Sequence, residues 1–182
     1  ATEKSQRNLE LSKQIPQKKV KNYFYKNNKD KTFSNVTPTW VSHGNSYSNG
    51  GTSVDLDNDG DLDLVINNIN EEAFVLENTS DQNSQNSYLK IKFKGNSNNI
   101  FGIGTTVKAF YKGQVITEEN YTTKGYLSSI EPKIHLGFGT TKIVDSLHII
   151  WSTNAYQTLK NIEVNQEIEV SYENATKSYP YR

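Results

Sequence analysis

Five aspartates crowd a stretch of nine residues that runs from Asp55 to Asp63. Carboxylates at this density repel one another unless a cation joins them. Ligand sets made only of oxygen select hard ions such as Ca²⁺ or Mg²⁺ over zinc, and a flexible loop rich in carboxylates favours Ca²⁺. The stretch is therefore predicted to be a calcium-binding loop that wraps the ion.

The spacing assigns a role to each acid of the loop. Three acids at alternate positions are predicted to point their side chains at the ion: Asp55, Asp57 and Asp59. Gly60 is expected to take the positive φ that turns the backbone towards the ion. Asp61 would then offer its main-chain carbonyl, and Asp63 would close the shell.

The loop is not an EF-hand, although it begins like one. An EF-hand loop ends in a bidentate Glu at its twelfth position, and that position counted from Asp55 is Ile66. The apolar run that begins at Leu62 predicts a short buried strand that ends in a turn. Two alternatives stay open for the loop itself: an acidic turn that is solvated by water, or a loop that has lost its ion.

Composition favours a β-rich chain with a polar surface. The apolar fraction of 34% over 182 residues is below the range of about 45–50% usual for globular domains when glycine is counted. Eleven Tyr, seven Phe and two Trp partly compensate, and a core of few but large side chains suits packed sheets. Cysteine is absent, which excludes disulfides, thiolate zinc sites and cysteine nucleophiles.

Charge and hydropathy argue against nucleic acid and membrane-spanning roles. The formal net charge is zero, so no global field attracts nucleic acid or an anionic membrane. Lysines do crowd residues 13–31, but a solvated face beside a strand is the favoured interpretation. No run is apolar enough to span a membrane. The sequence begins at Ala1 and contains no Met, which predicts N-terminal processing or a longer parent chain.

The first half of the chain is predicted to hold short strands around the acidic loop. A hairpin is expected from residues 22–26 and 31–36, with Thr37-Pro38 as its end. Residues 41–51 are predicted to be loop, followed by a strand over 52–54. Further strands are expected over 62–67 and 73–77. Before the hairpin, residues 2–15 are weakly helical in pattern and Pro16 is expected to stop that helix.

The second half reads as strands that are spaced by turns. From 88 to 94 apolar residues alternate with lysines, so that Leu89, Ile91 and Phe93 point one way and Lys90, Lys92 and Lys94 the other. Together with the segments that follow, about seven strands without a convincing helix predict an antiparallel β-sandwich. The predicted organisation is a lead-in over 1–22, a blade region over 23–78, a linker over 79–87, a sandwich over 88–173 and a frayed tail over 174–182.

The segment SNGGTSVDLDNDGDLDLVINNINEEAFVLEN (48–78) resembles the FG-GAP/VCBS repeat, the blade unit of integrin-α-like β-propellers. In that family the acidic loop joins two strands of a blade and binds calcium. The resemblance implies the same ligands as the spacing: Asp55, Asp57, Asp59, the carbonyl of Asp61, and Asp63. The fold class expected for this half is a partial β-propeller, with one calcium-loop blade and part of a neighbour.

Residues 87–170 resemble the ASPIC/UnbV domain, which follows such repeats in cartilage acidic protein and in many Bacteroidota surface proteins. The motifs that carry the resemblance are FGIGTTVKAFYKG, KGYLSS, HLGFG, VDSLHIIW and QTLKNIEVNQ. The family often has Pro and Gly after its tryptophan, where this chain has Ser152 and Asn154. The resemblance implies an extracellular or cell-surface location, such as the bacterial outer membrane, and it does not imply an activity.

A propeller needs about four blades or more to close, and unpaired strand edges are avoided in folded proteins. The remainder of a longer propeller chain, or a protein partner, is therefore expected to complete the ring. A glycan is a further candidate ligand, with Trp40 as a candidate for glycan or partner contact because it lies in a loop before the blade. Direct membrane spans and nucleic acid are not expected.

No motif in the sequence predicts a catalytic site. The three histidines are far apart, and no acid or nucleophile clusters with any of them. Glu118-Glu119 are adjacent, and adjacent residues of a strand face opposite sides. The function expected is a non-catalytic extracellular binding or scaffolding module that calcium stabilises, as an accessory part of an outer-membrane surface complex. The alternative is a polysaccharide-active enzyme, a lyase or hydrolase on a propeller scaffold.

Overall fold

A computed structural model of the protein describes residues 3–14, 18–80 and 85–180. The described part of the chain is nearly all β, with 48% strand and 9% helix, which confirms the predicted all-β class. The chain divides into two compact units. Unit 1 comprises residues 1–49 and 67–73, and unit 2 comprises residues 50–66 and 74–182. Among the described residues no helix is both long and apolar enough to cross a membrane.

Unit 1 contains the predicted hairpin in a shorter form. Helix α1 spans Glu3–Gln14, and the hairpin pairs strand β1 (Tyr25–Asn27) with strand β2 (Phe33–Asn35). After it comes helix α2, Thr37–Trp40, where the sequence predicted only the end of the hairpin. Proline is tolerated in the first turn of a helix because the N–H it lacks would have no partner there. The expected helix stop at Pro16 lies outside the described residues.

A three-stranded sheet carries the acidic loop. Its order is β3-β4-β5, from strands β3 (Ser48–Val54), β4 (Asp63–Asn68) and β5 (Phe74–Leu76). The prediction of loop over 41–51 is wrong at its end, because β3 begins four residues earlier than the predicted strand at residue 52. A glycine-rich polar strand lacks the periodicity that predicts one. Its edge is held by tertiary hydrogen bonds, in which Gly51 N donates to Ser128 Oγ at 3.0 Å and Thr52 Oγ1 to Ser129 O at 3.0 Å.

The rest of unit 2 is a sandwich of two further sheets, one of five strands in the order β13-β11-β10-β7-β8 and one of three in the order β12-β6-β9. The strands are β6 (Ser87–Lys94), β7 (Thr106–Tyr111), β8 (Gln114–Glu119), β9 (Lys133–Gly139), β10 (Ile143–Ile150), β11 (Ala155–Glu163), β12 (Gln166–Ser171) and β13 (Lys177–Ser178).

Among the described strands of the sandwich, pairing is antiparallel with one exception. Strand β12 runs parallel to β6, with Ile168 opposite Ile91 and Val170 opposite Phe93. The tail is also more ordered than predicted. Strand β13 pairs with β11, and Tyr179 packs its ring against that of Tyr156 at 5.3 Å between centroids. The prediction of a frayed tail over 174–182 is therefore wrong for the residues up to 180. The predicted linker over 79–87 falls partly on residues 81–84, which lie outside the described residues.

The core lies between the two sandwich sheets. Leu89, Ile91 and Phe93 of β6 point into it as their alternation predicted, and all three are at most 4% exposed. They meet the buried face of β7 and β10, which includes Val107, Leu147 and Ile149. Strand β6 is central in its own sheet. Its inner face packs in this core, and its outer face is available for other contacts.

Candidate metal site

The acidic loop connects β3 to β4 and is wound by hydrogen bonds from its own backbone. The carboxylate of Asp57 accepts from Asp59 N at 3.2 Å, and the carboxylate of Asp59 accepts from Asp61 N at 2.9 Å. Asn58 and Gly60 take positive φ values of 63° and 99°, a region that asparagine and glycine tolerate better than other residues. The residue types of the loop thus match the backbone turns that it makes.

The three acids at alternate positions come together as the spacing predicted. One carboxylate oxygen each from Asp55, Asp57 and Asp59 lies within 4.8 Å of the other two. Oxygens on opposite sides of a Ca²⁺ ion bound at about 2.4 Å would be separated by that distance. The side chains therefore converge on a volume of the size that one hard cation fills.

Asp55 is the most buried member of this cluster, and its two oxygens have different surroundings. Its side chain is 6% exposed. Oδ2 accepts a hydrogen bond from Gly60 N at 3.1 Å and forms an ion pair with Lys90 Nζ. Oδ1 is buried and has no hydrogen-bond partner among the described residues. Since a buried carboxylate oxygen without a partner is costly, Oδ1 is an atom that a bound cation would satisfy.

Asp63 and Asp61 lie outside the cluster of three carboxylates. Asp63 is 4% exposed, and both of its oxygens already accept backbone N–H groups, from Leu56 at 3.0 Å and from Asn78 at 2.8 Å. It ties the start of the loop to the end of β5. Asp61 accepts from Ser80 Oγ at 3.0 Å. The ligand roles of the Asp61 carbonyl and of Asp63 stay predictions, because a carboxylate oxygen keeps a second lone pair for an ion.

The loop rests on the outer face of β6, where an aromatic ring fills the space above its glycine. A Cβ atom on Gly60 would meet the Tyr88 ring at 1.8 Å, so only glycine allows this approach. Tyr88 in turn stacks on His135 of β9, with 5.7 Å between ring centroids and 19° between planes. Close packing and positive φ together fix the residue type at position 60.

Lys90 is a residue of the site that sequence reasoning missed. The alternation of β6 correctly placed it opposite the core face, and Lys92 and Lys94 on that face are exposed. Lys90 is only 5% exposed, because the acidic loop covers it. Its ammonium lies 5.4 Å from the centre of the Tyr88 ring and pairs with Asp55. The alternation along a strand predicts on which face of the sheet a side chain lies, but it does not predict what covers that face.

His135 lines a cavity of about 270 Å³ beside the site. Burial lowers the pKa of His135, and the neighbouring Lys90 ammonium lowers it further, while the Asp55 carboxylate opposes the change. The neutral imidazole is thereby favoured. The cavity also has acids and bases of the sandwich in its wall: Glu118, Glu119, Glu131, Lys124 and Lys133. Of these, Lys133 is paired with Glu131 at 2.9 Å and Glu167 at 3.2 Å.

Trp40, the candidate for glycan or partner contact, ends helix α2 and is 62% exposed. It shares unit 1 with three further exposed aromatic residues: Tyr23, Tyr25 and Phe33. Tyr23 and Tyr25 lie with their ring centroids 6.5 Å apart. Trp151, by contrast, is 3% exposed and packs edge-on against Phe93, as expected for a core residue.

The residues present fit a calcium ion. Three converging carboxylates, a buried oxygen without a partner and a ligand set made only of oxygen are what a hard cation requires. Asp55, Asp57 and Asp59 would hold the ion through their side chains. When bound, the ion would offset the repulsion among the acids and join the ends of two neighbouring strands.

An acidic loop between neighbouring strands, packed on a β-sandwich, defines the chain as a β-rich module. Comparison with protein families identifies the two parts. Residues 17–66 match the FG-GAP-like repeat, and residues 95–177 match the family described as ASPIC and UnbV. In this chain a match to the FG-GAP-like repeat is thus followed by a match to the ASPIC/UnbV family. No match was found among curated proteins.

Replacement of Gly60 by alanine should destabilise the protein through the contact with Tyr88. Gly125→Ala is the matched control, because Gly125 also has positive φ, 112°, but has no atom within 4 Å of an added Cβ. Both variants incur the backbone strain, and only G60A incurs the clash. We expect the free energy of unfolding of G60A to fall below that of G125A by about 1–3 kcal/mol, as measured by urea denaturation. Equal losses in the two variants would contradict the packing of the loop on β6.

Proposed function

We propose that this chain is a non-catalytic extracellular module for binding or scaffolding, which calcium stabilises. The observations that carry the proposal are the convergence of one carboxylate oxygen each from Asp55, Asp57 and Asp59, and a buried Asp55 oxygen that has no hydrogen-bond partner among the described residues. Extracellular modules commonly bind calcium in the sub-millimolar to millimolar range. FG-GAP-like repeats are typical of extracellular proteins, which supports the proposed location.

The role of the ion in this proposal is structural. The loop spans the gap between β3 and β4, and its glycine packs on Tyr88 of β6. An ion that fixes the loop would therefore stabilise the blade strands and their contact with the sandwich at the same time. Neutralisation of the clustered acids supplies the driving force, since their mutual repulsion opposes the folded loop in the absence of a cation.

The partner in this proposal is a protein or a glycan that contacts exposed aromatic side chains. Trp40, Tyr23, Tyr25 and Phe33 are each at least 58% exposed. Aromatic residues are enriched at the energetic centres of protein interfaces, and solvent-exposed rings also suit stacking on sugars. We propose that the module is an accessory part of a bacterial outer-membrane surface complex.

The calcium part is tested by thermal unfolding of the wild-type protein and of Asp59→Ala, each in EDTA and in millimolar Ca²⁺. In millimolar Ca²⁺, at about ten times a sub-millimolar Kd, binding should raise the wild-type Tm by about 3–6 °C. D59A should show no rise, because it removes one of three converging ligands. Asp145→Ala is the control, since Asp145 is exposed on β10 outside the loop, and it should keep the wild-type response. A wild-type Tm that is the same in both solutions contradicts the proposal.

The complex part is tested by native purification from the cell envelope under mild detergent. We expect the protein to elute in an assembly larger than its own mass, with a membrane protein identified by mass spectrometry in the same fractions. Recovery of the protein in isolation from the soluble fraction would contradict the outer-membrane complex. That result would leave the calcium proposal standing, because the two rest on different residues.

A further inference from the structure

A lysine is buried at the acidic loop, which is an unusual place for one. Lys90 is 5% exposed, and fully buried lysines are rare unless they are paired. It arises from the middle of β6 in the sandwich and reaches the first acid of a loop from the blade. A buried ammonium without a partner would be strongly unfavourable. Lys90 stays paired only while the loop holds Asp55 beside it, so the burial of Lys90 depends on the position of the loop.

The two carboxylate oxygens of Asp55 have different partners. Oδ2 receives Gly60 N and the Lys90 ammonium, while Oδ1 has no hydrogen-bond partner among the residues described. The Lys90 ammonium thus already places one positive charge at the Asp55 carboxylate, which would also bind the ion. The contribution of Lys90 is fixed by the fold and does not depend on the ion concentration.

We propose that Lys90 is a built-in counter-cation that keeps the acidic loop folded without a divalent ion and lowers the affinity of the loop for Ca²⁺. This inference rests on the proposed function, since it concerns the same ion. Lys90 is a positioning residue and not a ligand, because an ammonium has no lone pair to offer a metal. It acts on the ion only through the charge and placement of Asp55.

Both effects follow from the charge of the ammonium. Lys90 and a bound Ca²⁺ would attract the same carboxylate and repel each other across it, and Coulomb energies between charges a few ångströms apart are large at a buried site. Removal of Lys90 leaves Asp55 uncompensated, which destabilises the ion-free protein. The ion then restores more stability on binding than it does in the wild type, so its observed affinity rises.

The test compares Lys90→Gln with two matched variants by calorimetric titration with Ca²⁺. Lys90→Arg keeps the positive charge at the same position. Lys92→Gln makes the same chemical change two residues along the same face of β6, where the side chain is exposed. We expect K90Q to bind Ca²⁺ at least about tenfold more tightly than the wild type. K92Q should stay within about twofold of the wild type, and K90R should stay closer to it than K90Q does.

Thermal unfolding provides a second readout that a merely structural lysine would not change in this way. K90Q should lose stability in EDTA and recover most of it in millimolar Ca²⁺, so that its calcium-induced rise in Tm exceeds that of the wild type. If K90Q is unfolded in EDTA, refolding upon addition of Ca²⁺ is the corresponding expected result. Equal losses with and without Ca²⁺, or failure to fold even with the ion, would overturn the inference.

Failure of this inference is distinguishable from failure of the proposed function. If the wild type binds Ca²⁺ and K90Q binds it equally or more weakly, Lys90 does not act against the ion and only the inference falls. If K90Q binds Ca²⁺ and the wild type does not, Lys90 stands in place of the ion and only the proposed calcium dependence falls. If neither binds Ca²⁺, both fall.

Discussion

Repulsion among the carboxylates of residues 55–63 governs how the acidic loop is held against the sandwich. Five acids in nine residues cannot be packed against a protein surface without compensating positive groups. The fold supplies backbone N–H groups to Asp63 and to Asp55, and the ammonium of Lys90 to Asp55. In the proposed function, a divalent ion takes the volume between Asp55, Asp57 and Asp59.

Strand β6 connects this electrostatic constraint to the hydrophobic core. Its inner face contributes Leu89, Ile91 and Phe93 to the centre of the sandwich, while its outer face presents Tyr88 and Lys90 to the acidic loop. The packing of the loop and the packing of the core therefore share one strand. We therefore expect a change in the charge of the loop to alter the stability of the sandwich.

Local sequence patterns predicted much of this arrangement, and what they missed depends on long-range contacts. The alternation along 88–94 correctly placed the core face of β6, and the acid spacing correctly brought Asp55, Asp57 and Asp59 together. The early start of β3 at Ser48 was missed, because a polar, glycine-rich strand gains its hydrogen bonds from partners distant in sequence. The burial of Lys90 was missed for the same reason, since only the fold shows that the loop covers it.

A crystal structure of the protein grown with millimolar Ca²⁺, with the ion located by anomalous scattering, tests the central claim most directly. We expect one ion at about 2.3–2.6 Å from Oδ1 of Asp55 and from oxygens of Asp57 and Asp59. Lys90 should stay on Oδ2 of Asp55. A loop that holds water in place of the ion at that concentration, or an ion bound away from these three acids, would contradict it.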